Sequence, residues 1–383
     1  MPTPAKLFNA LDSNALRQAT EILRRLMVAS PPEPAQLRAS GTSAAPALPE
    51  TELNEEAADF TITPVPNLLG VDPAVYTLIE QTLKVKTHLM FYGPPGTGKT
   101  TIAQHIAKIV GKGEYKLVTG TSDWTSQDIV GGYQPDSKGG ITFMPGLILD
   151  NFNQPIIIDE LNRVDIDKAI GPLFTVLSGQ PTTLAYLFNP SATAANRRRV
   201  RIFPKKQLSL EPHEFAPTPE WRILATINTV DKASLYQMSY ALSRRFAWVL
   251  IDVPSDLTGF IIDYLIYKEY FTEARDPLPT GIPLFTIWKA VNKVRPLGAA
   301  PIIDIIELCH ATDEEFNFVR NPPTPEQQVA YLNGFYAFLL PLLDGILRSE
   351  AEEIGKSVTS ALGINSESSE ATQIRERVTY HAI

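Results

Sequence analysis

Short apolar runs alternate with stretches of helical periodicity from about residue 62 onward. The runs are rich in β-branched and aromatic residues, which favour strands, and turn-forming residues bound them. Because strands that alternate with helices pack as a parallel sheet with helices on its faces, we expect an α/β fold. The predicted strands are HLMFYG (88–93), YKLVTG (115–120), PIIIDE (155–160), WRILATIN (221–228) and AWVLIDV (247–253).

The pattern changes on both sides of this α/β core, which we place at 62–253. Beyond residue 254 the periodicity is mainly helical, which predicts an α-helical domain at 254–360 and a polar, loosely held tail at 361–383. Residues 1–28 have the pattern of a short helical segment, and residues 29–61 are rich in Pro, Ala and Ser, as in a flexible, disordered linker. The N-terminal segment is either a frayed tail or a helix that recruits a partner.

Composition narrows the classes of function. The net charge of −8 makes the chain as a whole unsuited to coating nucleic acid, although a local basic patch would suit it. Cys309 is the only cysteine, which excludes an internal disulfide and a cysteine-rich zinc site and fits a reducing compartment. No apolar run approaches the ~18–20 residues of a membrane span, and the N-terminus lacks a signal-peptide core. We therefore expect a cytoplasmic protein without membrane insertion.

A glycine-rich loop, GPPGTGKT at 93–100, fits the pattern G-x-x-x-x-G-K-[ST] between a predicted strand and a predicted helix. Its glycines allow backbone N–H groups to point at phosphate oxygens at the start of that helix. Lys99 adds a positive charge for the terminal phosphates, and the Thr100 hydroxyl is a ligand for Mg²⁺. The predicted nucleotide-binding residues are Gly93, Pro94, Pro95, Gly96, Thr97, Gly98, Lys99, Thr100, Thr101 and Asp159.

Two adjacent acids end the strand PIIIDE, about 60 residues after the loop. Three isoleucines precede them, which indicates a central strand, and buried negative charge is costly unless a cation lies near it. Asp159 is placed to hold Mg²⁺ through water, together with Thr100. Glu160 points the other way off the strand and can polarise the water that attacks the γ-phosphate. The alternative is a pair of surface acids at the start of a helix, which a buried strand disfavours.

Four motifs resemble those of the AAA+ ATPases in order and spacing. They are FYGPPGTGKT, IIIDELNR, ATINTVD and ALSRRFAW, and the phrase DELNRVDIDKAIGPLFTVLSGQ is most similar to the MoxR and McrB-type branch, the dynein-related AAA domains. The resemblance covers roughly residues 65–350. It implies a P-loop AAA+ core with a five-stranded parallel sheet flanked by helices, an α-helical lid after it, and a homo-oligomeric ring, expected to be a hexamer.

The resemblance implies roles for three more residues. Asn228, at the end of a predicted strand, matches the first sensor and would hold the attacking water or the γ-phosphate while Glu160 acts on it. One arginine of SRRF would reach a neighbouring subunit's site as a finger, Arg245 as first choice and Arg244 as second. The alternatives are an asparagine that ends a strand at a turn and an ordinary surface pair of arginines. With a finger in trans, the site is complete only between subunits.

One position departs from the family pattern. Related proteins often carry a second sensor arginine at the start of a lid helix, where this chain has Ile302. With isoleucine in place of arginine, a contact from the lid to the γ-phosphate of the same subunit is no longer expected from this position. Arg295 is a candidate replacement, and Arg163 or Arg201 could act from the neighbouring subunit.

Two segments are candidates for handling a macromolecule. Residues 131–149, GGYQPDSKGGITFMPGLIL, resemble the hairpin that this branch directs at the ring's pore, with Tyr133, Phe143 and Met144 as mobile residues that grip a polymer. A buried β-turn is the alternative. Residues 196–206, NRRRVRIFPKK, form a basic cluster without interleaved stacking aromatics. Because such a cluster is weak evidence for nucleic acid, a solvated or inter-subunit face is favoured.

These features predict Mg²⁺-dependent nucleotide hydrolysis by a ring that remodels or threads a macromolecular partner, an unidentified client protein. ATP is favoured, as in MoxR-like relatives. GTP is the alternative, because McrB-type relatives use it and share an Asn-Thr-x-Asp phrase. The Asp231 carboxylate of that phrase could accept hydrogen bonds from the N1 and N2 donors of guanine. That phrase overlaps the first sensor, far from any base. Two further hypotheses are a GTP-driven, DNA-translocating subunit of a restriction system and a nucleotide-switched assembly scaffold or chaperone for a partner protein.

Overall fold

The structure is a computed structural model that describes residues 61–85, 88–135, 137, 139–229, 238–271 and 281–383. The predicted N-terminal segment, the linker up to residue 60 and Asp231 lie outside the described residues. Within the described ranges, no helix combines the length and the apolar character needed to cross a membrane.

A parallel sheet of five strands forms the centre of the described α/β part. In chain order its strands are β1 (His88–Gly93), β2 (Lys116–Thr119), β5 (Ile156–Asp159), β9 (Ile223–Asn228) and β10 (Phe246–Leu250), and across the sheet they run β10-β1-β9-β5-β2. Every neighbouring pair is parallel. The sequence predicted these five strands, with ends that differ by up to three residues, and the predicted fold class is confirmed.

The central strands are apolar on both faces. Ile157 packs with Leu89 on one face of the sheet, whereas Ile156 and Ile158 pack with Met90 on the other. All five side chains are fully buried. A strand that is covered on both faces reads as a continuous apolar run, which is why PIIIDE carries three isoleucines in succession. Polar side chains therefore emerge together at the carboxyl ends of the strands.

Helices flank this sheet. They are α1 (Pro73–Lys84), α2 (Lys99–Val110), α3 (Ser126–Ile129), α4 (Leu147–Asp150), α5 (Ile166–Ile170), α6 (Phe174–Leu177) and α7 (Tyr240–Ser243). At the start of α1 the Asp72 side chain accepts the Ala74 N–H at 2.8 Å, and Pro73 fills the first helical position. Helix α2 begins directly after Gly98 and buries Ile102 against the sheet.

Two smaller sheets lie outside the central one. β3 (Gly131–Pro135) pairs antiparallel with β4 (Ile141–Pro145). β6 (Thr182–Leu187) pairs antiparallel with β7 (Arg199–Ile202), and β8 (Glu214–Phe215) joins β7 in parallel. The sequence indicated the first hairpin but not the second sheet, whose strands are short and separated by long loops.

The β3–β4 hairpin differs from its expected role as a mobile grip. Phe143 is 2% exposed and lies in the core, so the prediction that it is mobile is wrong. The Tyr133 hydroxyl accepts the Leu187 N–H at 2.8 Å, which ties the hairpin to β6. Met144 and Ile141 are the apolar side chains of β4 that remain exposed.

The C-terminal part is helical, as predicted, and has its own core around Trp288, Tyr331 and Phe335. Its helices are α8 (Leu257–Tyr267), α9 (Pro283–Val294), α10 (Ala300–Thr312), α11 (Pro325–Gly334), α12 (Arg348–Ala361) and α13 (Ser369–Thr379). We call the part from α8 onward the lid, and its boundary at 253/254 stays a prediction.

The prediction of a loosely held tail at 361–383 is wrong. Helix α13 buries Ala371, Ile374 and Val378 in the lid core. These residues are spaced i, i+3 and i+7, so they form one apolar stripe on a helix whose remaining positions are polar. The segment was expected to be loose because its average hydrophobicity is low, although its three apolar residues share one face of the helix.

Candidate functional site

The glycine-rich loop joins β1 to α2 at the carboxyl edge of the sheet. Gly93, Gly96 and Gly98 have positive φ angles of 152°, 76° and 84°. A Cβ on Gly93 would lie 2.0 Å from the carbonyl oxygen of Ile251, so only glycine fits there. Among the described residues, the N–H groups from Gly96 through Thr101 donate to no acceptor. The loop therefore presents a row of free amides at a helix N-terminus, the arrangement that binds phosphate.

Lys99 is enclosed by this loop. Its side chain is buried, and the ammonium donates to the carbonyl oxygens of Gly93 at 3.2 Å and Pro94 at 2.6 Å. Burial lowers the pKa of Lys99 to about 8, although the carboxylates of Asp159 and Glu160 partly oppose the shift. The charge of Lys99 is thus under-compensated, and a phosphate in the loop would supply the missing negative charge.

Asp159 stands at the end of β5, where two hydroxyls converge on it. Its Oδ1 accepts from the Thr100 hydroxyl at 2.6 Å and from the Thr226 hydroxyl at 2.6 Å. The structure thus brings Thr100 and Asp159 together, as the sequence predicted. Thr226 is 2% exposed and also accepts the Glu160 N–H at 3.0 Å. Sequence analysis missed Thr226, yet it lies two residues before Asn228 on the same face of β9, a signal that strand alternation carries.

Glu160 follows Asp159 in a left-handed conformation, with φ of 52°. Such a conformation costs a non-glycine residue roughly 1–2 kcal/mol, and the hydrogen bond from its N–H to Thr226 helps to hold it. The Glu160 carboxylate lies 2.5 Å from Nε of Arg163, whose side chain is 60% exposed. The carboxylate is therefore paired with a cation of its own chain that solvent can reach.

Asn228 is the last residue of β9 and lies beside the start of the loop. It pairs in register with Gly93, and the next residue, Thr229, donates its N–H to the Gly93 carbonyl at 3.0 Å. The asparagine side chain is partly exposed at the same edge of the sheet as Thr100 and Asp159.

The two arginines of SRRF differ in their surroundings. Arg245 is half-buried: its Nε donates to the Phe174 carbonyl at 3.0 Å, its guanidinium also donates to the Ala241 carbonyl, and it lies 5.0 Å from the centre of the Phe174 ring. Arg244 is exposed, and its side chain has no recorded partner among the described residues. This geometry favours Arg244 over Arg245 as the side chain that can reach another subunit, the reverse of the order expected from the sequence.

The candidate replacements for the second sensor arginine have partners of their own. Ile302 is fully buried in the lid core. Arg295 donates to the carbonyl oxygens of Leu342 at 2.5 Å and Asp344 at 2.9 Å, both within the lid. Arg201 lies 3.8 Å from the Glu214 carboxylate.

A cavity of about 210 Å³ adjoins the loop on the side of the lid. Gly96, Thr97, Gly98 and Thr101 line one wall, and Phe260, Tyr264, Ala299, Ala300 and Ile303 of the lid line another. The segment 67–71 also lines the cavity, and Asn67 and Asp252 are among its polar groups. A mostly apolar cavity with an aromatic wall, next to a phosphate cradle, has the character expected for binding a planar base.

The donor set fits magnesium only in the company of phosphate. Among the described residues, no group of three or more His, Cys, Asp or Glu side chains could hold a metal ion. Mg²⁺ at nucleotide sites is usually bound by one or two protein oxygens together with phosphates and water. The Thr100 hydroxyl and the Asp159 carboxylate, beside six free amides, match that requirement.

Comparison with known proteins agrees with this geometry. Residues 88–246 match the family model of the AAA domain of the dynein-related subfamily. The chain is 25% identical over 236 residues to the type IV methyl-directed restriction enzyme EcoKMcrB subunit of Escherichia coli strain K12, which covers 58% of this chain and 46% of that protein. It is 28% identical over 174 residues to the gas vesicle ATPase GvpN of Ancylobacter aquaticus, covering 43% of this chain and 45% of that protein.

A solved structure, the Thermotoga maritima RuvB Holliday junction branch migration motor, aligns over 81% of this chain and 87% of that chain, with 12% identity and a TM-score of 0.40. The chain spans less than half the length of the two curated relatives. Family membership therefore rests on the matched residues, the strand order and the loop. Residues 88–246 belong to the dynein-related subfamily of AAA domains, within the AAA+ P-loop ATPases of the MoxR and McrB type.

Proposed function

We propose that this protein hydrolyses ATP with Mg²⁺ in an oligomeric ring and uses the energy to remodel a macromolecular partner. One observation carries the proposal: six free amides, from Gly96 through Thr101, lie next to the Thr100–Asp159 pair at the carboxyl edge of the sheet. Membership of the AAA+ P-loop ATPases supports the same chemistry. The lone cysteine, which is buried and free, is consistent with a cytoplasmic location.

In the proposed mechanism the loop amides and Lys99 bind the phosphates. The Lys99 ammonium turns from the carbonyl oxygens of Gly93 and Pro94 to the terminal phosphates. The Thr100 hydroxyl and the Asp159 carboxylate would hold Mg²⁺, which would supply neutralising charge to the phosphates. Thr226 keeps the Asp159 carboxylate in place through its hydroxyl.

Glu160 and Asn228 act on the attacking water. Glu160 would take a proton from that water, for which its carboxylate must leave the Arg163 guanidinium. Asn228, beside Gly93, would hold the water or the γ-phosphate in place. Once released from Arg163, the Glu160 carboxylate could accept a proton, and the Asn228 amide offers both a donor and an acceptor for positioning.

An arginine from the neighbouring subunit would complete the site. We assign this finger to Arg244, because the side chain is exposed and unpaired among the described residues, whereas Arg245 is bound to Phe174 and Ala241. A planar guanidinium spreads its charge in the way that the transferring phosphoryl group does. Hydrolysis would then require assembly, and a hexameric ring is the expected form.

A second candidate has the same core chemistry with GTP and DNA. Its support is the identity of 25% to the EcoKMcrB subunit of a restriction enzyme and the exposed basic residues Arg197, Arg198 and Arg199 at β7. Arg197 and Arg198 donate to carbonyl oxygens of their own loop and Arg199 donates to the Ala185 carbonyl of β6, so all three guanidiniums already have partners. ATP remains our proposal, with GTP and DNA as the stated alternative.

The third candidate is a nucleotide-switched scaffold for a partner protein. It would use the same nucleotide site as the proposed ring, but nucleotide would control the binding of the partner instead of its threading. Its support is the paired state of Glu160, which would make turnover slow until a partner releases it. A partner captured by the Glu160→Gln variant in ATP, and released by ADP, would distinguish this candidate from a threading ring.

The proposal is tested by measuring hydrolysis of ATP and GTP with Mg²⁺ across protein concentrations, for wild type, Glu160→Gln, Arg244→Ala and Arg245→Ala. We expect ATP to be preferred and specific activity to rise with concentration. Glu160→Gln should retain nucleotide binding without hydrolysis. Complementation by mixing Arg244→Ala with Glu160→Gln should restore activity, because each supplies what the other lacks. Preference for GTP with stimulation by DNA would favour the second candidate, and the absence of nucleotide binding would refute the proposal.

A further inference from the structure

The segment between α9 and α10 contacts the glycine-rich loop through two main-chain hydrogen bonds. The Gly298 N–H donates to the Pro95 carbonyl at 2.8 Å, and the Ala300 N–H donates to the Gly96 carbonyl at 3.1 Å. We call residues 297–300 the latch. Two adjacent peptide groups at the centre of the loop are therefore bound by the lid.

The latch is fixed to the lid from its other side. The Leu297 N–H donates to the Asn292 side-chain oxygen at 2.6 Å, and the Leu297 carbonyl accepts from the Trp288 indole N–H at 3.0 Å. Trp288 is fully buried in the lid core. A shift of the latch would therefore move helix α9, which carries both side chains.

Close approach of the two main chains requires glycine. A Cβ on Gly298 would lie 2.3 Å from the carbonyl carbon and oxygen of Gly96, and backbone atoms cannot swing aside as a flexible side chain can. On the other side, a Cβ on Gly96 would lie 3.2 Å from atoms of Ala300 and Pro301. The small residues in this part of the chain thus permit a contact that no larger side chain would allow.

The direction of each bond matters for phosphate binding. In a trans peptide the C=O and the N–H of one peptide group lie in one plane and point in opposite directions. When the latch holds the carbonyl of Pro95, it also orients the N–H of Gly96, and when it holds the carbonyl of Gly96 it orients the N–H of Thr97. Both N–H groups belong to the row of free amides. The lid and a phosphate would therefore bind opposite ends of the same peptide groups and would not compete.

We propose that the latch is the element through which the lid senses nucleotide: its main-chain hydrogen bonds orient two phosphate-binding amides, in place of an arginine at position 302. The proposal rests on the proposed function, since it requires nucleotide in the glycine-rich loop. Gly298 and Ala300 are positioning residues, because they act through the amides of Gly96 and Thr97. By linkage, a lid that favours the bound form of the loop must itself be held more firmly when nucleotide is present.

The test compares two latch variants with a matched control in the full-length chain. Gly298→Ala places a methyl group against the loop backbone. Asn292→Leu has a similar volume and removes the acceptor for Leu297 without touching the loop, and Nδ2 of Asn292 is buried without a partner among the described residues. Thr359→Val is the control, since Thr359 is a buried lid residue whose hydroxyl bonds only to the Lys356 carbonyl of its own helix.

Binding of ADP and of a non-hydrolysable ATP analogue is measured with Mg²⁺, together with hydrogen exchange of residues 295–303 and the melting temperature. We expect Gly298→Ala to weaken binding about tenfold or more and Asn292→Leu about fivefold, because each disturbs one or two hydrogen bonds that orient the amides. KM should rise more than kcat falls. Nucleotide should slow exchange in 295–303 of wild type and Thr359→Val but not of Gly298→Ala.

The outcomes separate the two proposals. If wild type binds and hydrolyses nucleotide while folded Asn292→Leu binds as tightly as wild type, and nucleotide leaves exchange in 295–303 unchanged, the latch proposal is overturned and the proposed function stands. If Gly298→Ala fails to fold, Asn292→Leu decides. If wild type binds no nucleotide, the proposed function falls and the latch proposal falls with it.

Discussion

Lys99 predicts a specific pH dependence of nucleotide binding. Burial holds the pKa of Lys99 at about 8 in the nucleotide-free chain, well below its ordinary 10.5, and the carboxylates of Asp159 and Glu160 only partly oppose this. The triphosphate binds best to the protonated form. With a pKa of about 8, roughly three quarters of the chains carry the proton at pH 7.5 and roughly a tenth at pH 9, so affinity should fall about eightfold over that interval. Phosphate groups, with a second pKa near 6, add little change there.

Two assays measure this effect. Titration calorimetry at pH 8, in buffers that differ in ionisation enthalpy, should show uptake of about half a proton per bound nucleotide, because binding restores the charge of Lys99. The affinity of Lys99→Arg should be weaker than that of wild type but flat from pH 7.5 to 9, since guanidinium stays protonated. Equal affinity of wild type at both pH values, without proton uptake, would refute the argument that burial in the loop destabilises the charge of Lys99.

The same shift has a consequence for stability, with a defined sign. The unfolded chain binds the Lys99 proton more tightly than the folded chain does, so the free energy of unfolding should rise with pH between about 8 and 10.5 for this group. Bound nucleotide should remove that rise, because it restores the pKa of the folded state. Thermal melts at a series of pH values, with and without ADP, report both behaviours.

Three further predictions concern single side chains. Thr226→Val should lower kcat about tenfold or more, because Asp159 loses a hydroxyl donor. The control is Thr359→Val, which changes a buried threonine bonded only to its own helix and should leave kcat unchanged. Equal kcat values for the two variants would contradict the positioning role of Thr226. Arg163→Ala should raise basal hydrolysis up to about fivefold at unchanged nucleotide affinity, because the solvent-exposed ion pair that restrains Glu160 contributes at most about 1 kcal/mol. A fall in the hydrolysis rate would instead assign Arg163 a direct role. Burial lowers the pKa of His88 to about 3, so between pH 6.5 and 3 only the unfolded chain takes up a proton at this residue. Thermal melts over that pH range should therefore show a shallower loss of stability for His88→Gln than for wild type.

The sheet and the phosphate loop could be predicted from the sequence because their signals are local. Three successive isoleucines define a strand that is covered on both faces, and three glycines of the loop have positive φ angles that other residues rarely adopt. The different surroundings of Arg244 and Arg245, on which our choice of a finger rests, could not be predicted. Arg244 and Arg245 are adjacent and chemically identical, and what separates them is the ring and carbonyl of Phe174, which lie 71 residues earlier in the chain.

The remaining misses have the same origin in tertiary contacts. The polar segment around α13 was expected to be loose because its average composition is hydrophilic, yet three apolar residues at helical spacing suffice when α12 offers a matching surface. Phe143 was expected at a mobile tip because glycines flank it, yet it enters the core beside Tyr186 and Phe215 of a sheet that the sequence did not reveal. The local sequence pattern predicts whether a segment forms a helix or a strand. Whether its side chains are buried depends on residues far away in the chain that pack against it.

The two hydroxyls on Asp159 differ in the further task that the proposed mechanism gives them. In the nucleotide-free chain, Thr100 and Thr226 each donate to the same carboxylate oxygen at 2.6 Å, which compensates a charge at the end of a buried strand. In the proposed mechanism the Thr100 oxygen would also present a lone pair to Mg²⁺, which donation of its hydrogen to Asp159 leaves free. Thr226, held at 2% exposure in β9 and bonded also to the Glu160 N–H, has no such second task. It would therefore keep Asp159 oriented, and Glu160 correctly placed beside it, even if the Thr100 hydroxyl shifted on binding the ion.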